Sequence, residues 1–114
     1  MEIILVINDR KERTELMQKV QEVYTEDCVS AFSCGEDALD FARNKQIDVC
    51  FTEVVLKKMS GIALAKELRK KNELVKINFI SETKEYAMDG WKLFINDYLL
   101  KPVSVNAIQH SRER

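Results

Sequence analysis

Residues Cys50 to Gly61 read "CFTEVVLKKMSG": an apolar run that gives way to a loop, with one carboxylate, Glu53, at the join. With Asp48 and Val49 in front, "DVCFT" (Asp48 to Thr52) reads as a short buried strand. After Gly61, residues Ile62, Ala65 and Leu68 fall at helical spacing, and "KELRKK" forms the far, solvated face. The segment is therefore strand, loop, helix. An acid stands where the strand runs out, and two lysines and a glycine follow it.

The same unit recurs in both directions. "IILVI" (Ile3 to Ile7) is continuous and β-branched, as a strand buried on both faces should be. Leu16, Val20 and Val23 then mark a helix over about 10–24. "CVSAFS" is a weaker strand, and Ala38, Leu39 and Ala42 mark a short helix after Gly35. "KINFI" is a fourth strand, with Tyr86 and Ala87 on a short helix behind it. "DYLL" is a fifth strand, followed by Lys101, Pro102 and a helix that starts near Ser104. Alternation with short connections predicts one α/β domain over residues 1–114, a doubly wound parallel sheet with helices on both faces. An output domain beyond Arg114 stays open.

The bulk properties agree. The chain has 114 residues, 46% hydrophobic and 32% charged, a globular balance of one-domain size. A net charge of −1 gives no electrostatic reason to bind nucleic acid or an anionic membrane. No apolar run is long enough to span a bilayer. The opening "MEIILVINDR" carries Glu2 and no basic lead, so it reads as a strand rather than a signal peptide. Cys28, Cys34 and Cys50 are odd in number and lack CxxC spacing, which suits a reducing cytoplasm better than disulfides or zinc.

In such a sheet, reactive groups gather at the carboxyl ends of the strands. Asn8 and Asp9 stand after strand 1, Glu53 after strand 3, Ser81 and Glu82 after strand 4, and Lys101 and Pro102 after strand 5. Each has a bland reading: Asp9 or Ser81 as a helix cap, Lys101 as a solvated lysine, Glu53 as a loop acid. Converging from four segments, oxygens opposite a lysine suit a hard cation and a phosphoryl group.

Here the chain resembles the receiver domain of bacterial two-component response regulators. "ILVINDR", "DVCFTEVVLKKMSG", "NFIS" and "DYLLKP" resemble that family's strands 1, 3, 4 and 5 with their flanking motifs. "EYAMDGWKLFINDYLLKP" resembles the receivers that precede LytTR-type DNA-binding domains. The resemblance implies a flavodoxin-like sheet of order 2-1-3-4-5 and a signalling role rather than an enzymatic one. It implies a phosphoacceptor at position 53, Mg²⁺ held by Asn8, Asp9, Glu53 and the Val55 backbone carbonyl, phosphate-gripping Ser81 and Lys101, and a switch aromatic at Tyr98. It further implies a sensor histidine kinase or other signalling protein as partner, and a possible homodimer through the helix 4–strand 5–helix 5 face.

Four positions depart from the family pattern. Glu53 replaces aspartate, which moves the carboxylate outward by about 1.5 Å. Asn8 removes one acid from the metal set, so Mg²⁺ binding is expected to be weak or absent. Lys57 replaces a proline, and Glu82 a residue that is usually small. Three outcomes stand open for Glu53: a mimic of the phosphorylated state, an inert acid, or a working acceptor. Strand 4 separates strands 3 and 5, and a glutamate and a lysine can span that gap, so a Glu53–Lys101 ion pair is expected. As a partly exposed pair it should contribute no more than about 1 kcal/mol.

A small flavodoxin-like enzyme or nucleotide-binding domain is the alternative. It requires a Gly- or hydroxyl-rich loop after strand 1, and here that loop is "NDRKER". The single histidine, His110, offers no hydrolytic triad. Trp91 and Tyr86 read as helix-packing groups.

Overall fold

The computed structural model describes all residues, Met1 to Arg114. Five strands, β1 (Glu2–Val6), β2 (Cys28–Phe32), β3 (Val49–Glu53), β4 (Lys76–Ser81) and β5 (Asp97–Leu100), alternate with helices α1 (Arg10–Val23), α2 (Gly35–Ala42), α3 (Gly61–Lys71), α4 (Ala87–Lys92) and α5 (Val105–Glu113). All strand pairs are parallel, as the alternation predicts, and the sheet order is β2-β1-β3-β4-β5, as the resemblance implies.

The period of two in a strand divides the core. Ile3, Leu5 and Ile7 join Val49, Phe51 and Leu99 on one face, under Leu16, Val20 and Val23 of α1 and Ile108 of α5. Ile4 and Val6 join Cys50, Ile77 and Phe79 on the other face, under Ala38 and Ala42 of α2 and Leu64, Ala65 and Leu68 of α3. Residues Ile3 to Ile7 are each at most 2% exposed, so the continuous apolar run is explained by cover on both sides. Burial also pushes the Cys50 thiol far up, which leaves it a small core residue.

Serines cap two helices: Ser60 accepts from the Ala63 N–H at 3.1 Å and Ser104 from the Ala107 N–H at 3.0 Å. Helix α5 is anchored at both ends. Lys19 of α1 donates to the Val103 carbonyl at 2.7 Å, and the Ser111 hydroxyl donates to Asp97 at 2.7 Å.

Two expectations need correction. Trp91 is 61% exposed and packs no core, whereas Tyr86 does pack against the α2–α3 side. The short α4 cannot bury every large side chain it carries. Strand β3 also runs one residue further than its apolar run, so Glu53 is its last residue, paired with Ile80 of β4.

Candidate functional site

The parallel sheet brings the ends of β1, β3, β4 and β5 to one edge. Glu53 is only 9% exposed there, which demands partners for its carboxylate. It has two. The backbone N–H of Asn8 donates to Oε1 at 2.6 Å, and the Lys101 ammonium donates to Oε2 at 2.5 Å. Both are short, charge-assisted bonds. The backbone beneath is also fixed: the Thr52 hydroxyl donates to the Glu53 carbonyl at 3.0 Å.

Gly61 is needed for this geometry. A Cβ placed on it would lie 2.0 Å from the Glu53 carbonyl oxygen. The glycine therefore lets the start of α3 press against the backbone that carries the acid. In the loop between them, Lys58 has φ 63°, a left-handed conformation that favours glycine.

The Glu53–Lys101 ion pair is present as expected, but it is more enclosed than expected. The two side chains are 11% and 17% exposed. A second carboxylate, Glu12 of α1, lies 3.0 Å from the same ammonium. Burial alone would lower the Lys101 pKa; the hydrogen bonds to Glu53 and Glu12, with their charges, raise it above the ordinary lysine value.

The other candidates fall around this pair. Ser81 ends β4 and lines the same cavity as Glu53, Val55 and Lys101. Its hydroxyl accepts from the Thr83 N–H at 3.2 Å. The Tyr98 hydroxyl donates to the Thr83 carbonyl at 2.7 Å, tying β5 to the link after β4. Asp9 caps α1, accepting from the Glu12 N–H at 3.0 Å. Asn8 is exposed, and its part in the site is its backbone N–H.

The donors available do not fit a resident divalent cation. No group of three acidic, histidine or cysteine side chains converges anywhere in the chain. One oxygen of Glu53 faces an ammonium and the other a peptide N–H, and Asp9 is engaged in its cap. A hard dication needs six or more oxygens, and here a positive charge already sits on the one buried acid.

A parallel sheet of this order with acid, hydroxyl and lysine at its carboxyl edge defines the class. The chain matches the response regulator receiver domain model over residues 4–112, and it belongs to that family. Among curated proteins it is 28% identical over 108 residues to the transcriptional regulatory protein YpdB of Escherichia coli K12, covering 95% of this chain and 44% of YpdB. It is 27% identical to MrkE of Klebsiella pneumoniae over 95% of this chain and 40% of MrkE. The chain thus spans less than half the length of these relatives. The solved response regulatory domain of MrkE superposes with a TM-score of 0.83 at 25% identity, covering 99% of this chain and 93% of that one. CheY4 of Vibrio cholerae gives 0.85 at 19% identity, covering 99% and 96%, a likeness of fold.

Glu12 and Lys58 are the site residues that sequence reasoning missed. Asp9-x-x-Glu12 is a capping-box spacing and would have drawn attention to Glu12.

Proposed function

We propose that this receiver domain signals without depending on phosphorylation, with Glu53 standing in for part of the phosphorylated state. The observation that carries the reading is the 2.5 Å contact between Glu53 and Lys101. By the family resemblance, this lysine grips the phosphoryl group on an acceptor aspartate. Glutamate reaches it unaided, and the pair fixes the end of β5 next to Tyr98. Mg²⁺ binding would then be weak, in keeping with a donor set that lacks a third acid.

Output would pass through protein contacts on the α4–β5–α5 face, to a second copy or to a signalling partner such as a histidine kinase. Met88, Trp91, Phe94 and Leu100 expose large apolar groups in α4, β5 and the link between them, which supports this. The motif "EYAMDGWKLFINDYLLKP", and relatives named as transcriptional regulators, support a LytTR-type regulator acting in the cytoplasm, with this chain as its receiver part.

The test is intact mass after incubation with Mg²⁺ and acetyl phosphate. The native protein is expected to gain no phosphoryl mass. Stoichiometric phosphorylation of Glu53, or a tight Mg²⁺ complex by calorimetry, would refute the reading.

A further inference from the structure

Glu12 belongs to the first turn of α1, three residues after the cap Asp9. In a reciprocal capping box the acid at this position turns back to the N–H of the cap residue. Asp9 makes its half of that arrangement, accepting from the Glu12 N–H at 3.0 Å. The Glu12 carboxylate goes instead to the Lys101 ammonium, 3.0 Å away, across to the link after β5. The turn that presents it is rigid: Arg13, next in the chain, donates to the Ile7 and Asn8 carbonyls at 3.0 and 3.1 Å. Seven residues on, and so on the same helix face, Lys19 donates to the Val103 carbonyl at 2.7 Å. Two ties thus run from one face of α1 to the segment that carries Lys101.

Lys101, with Ile80 and Glu82, forms the wall shared by two cavities. One is lined by Glu12, Leu16, Lys19 and Val103, the other by Glu53, Ser81, Thr83 and Tyr86. The ammonium donates a hydrogen bond to Glu53 on one side of this wall and forms an ion pair with Glu12 on the other. A bland surface pair would be a lysine in solvent with one floppy partner. Here the lysine side chain is 17% exposed and lies between two carboxylates, Glu53 at 11% and Glu12 at 45% exposure.

We propose that Glu12 is a positioning residue for Lys101: it holds the ammonium on the α1 side of the site and divides it between α1 and β3. This rests on reading Lys101 and Glu53 as the functional pair, and it adds a regulatory arm. An event that draws Glu12 away, such as a partner binding on α1, leaves Lys101 held by Glu53 alone. Glu12 thereby links the α1 surface to the β5 end.

The experiment is side-chain NMR of ¹⁵N-lysine protein, following the Lys101 ammonium resonance in the full chain. Hydrogen exchange of that ammonium is expected to quicken about two- to fivefold in Glu12→Gln, the range a half-exposed ion pair can protect. Glu12→Asp keeps the charge and the helix-terminal acid but falls short by about 1.5 Å, and it should behave like Glu12→Gln. Glu53→Gln serves as the positive control, because it removes the other arm. Wild-type exchange in Glu12→Gln, with a clear change in Glu53→Gln, overturns the proposal. So does wild-type exchange in Glu12→Asp, which would show that charge alone suffices. Because the signal comes from Lys101 itself, it stands apart from phosphorylation: phosphoryl uptake by Glu53 would refute the proposed function and leave this outcome unchanged.

Discussion

At position 53 one methylene decides which contacts exist. Glu53 bonds the Asn8 N–H at 2.6 Å and Lys101 at 2.5 Å, so neither contact has slack. Glu53→Asp withdraws the carboxylate by about 1.5 Å and should lose both. The part-buried Asn8 N–H would lose its partner and the ammonium one of its two, at about 1–3 kcal/mol. Urea unfolding should show that loss as a lower midpoint with an unchanged slope. An aspartate variant as stable as the native protein would show that the two bonds contribute little. The ion pair was legible once the family resemblance supplied the strand order, because that order and side-chain length suffice to predict it. Its depth was not, because burial depends on how closely the β4–α4 and β5–α5 links close over the edge. The Glu12 contact was illegible for a different reason: its partner is 89 residues away, and a capping-box spacing points the acid to the N–H of Asp9 and not to Lys101.

At the scale of elements, the loop between β3 and α3 places the acid. Its tightest point is Gly61 against the Glu53 carbonyl, where a Cβ would come to 2.0 Å. The obstacle is backbone, so nothing flexible can give way. Gly61→Ala should therefore push α3 from β3, destabilise by about 1–3 kcal/mol, and disturb Glu53 with it. Matching losses of thermal stability and of the Lys101 ammonium signal would bear this out; a variant with native stability would contradict it. The sequence marks this glycine as punctuation and no more, since periodicity carries no information about which backbone it faces. Strand and helix identities were legible because cover on both faces leaves unbroken apolar runs such as Ile3 to Ile7. The errors fell where elements are short: β3 gained Glu53, and α4, with six residues, leaves Trp91 outside.

Over the whole molecule, four of the seven exposed large apolar side chains belong to α4, β5 and the link between them. Trp91 and Phe94 are 61% and 85% exposed, and Met88 and Leu100 belong to the same stretch of chain. If this face carries association, Trp91→Ala should lower the sedimentation-derived dimer affinity about tenfold or more, as loss of an aromatic anchor does. Asp37→Ala on α2 should leave it unchanged. A monomer at all concentrations, or equal effects from both variants, would remove this face from consideration as a dimer contact. The parallel sheet and its two-sided core were readable from alternation, because short crossovers admit few topologies, while the strand order came from the family resemblance. The assembly face was not, because an exposed tryptophan and a packed one look alike in a sequence.

Helix α5 has a mechanical consequence. Its head is moored through Val103 to Lys19, and its foot through Ser111 to Asp97. Between these moorings runs the helix from Val105 to Ser111, roughly 10 Å of rod that resists compression along its axis. A shove at the lysine end would therefore reach the far edge of the sheet as a shift of the entire rod. The acid at the end of β3 and the surface at the foot of α5 would then behave as the two ends of a single strut.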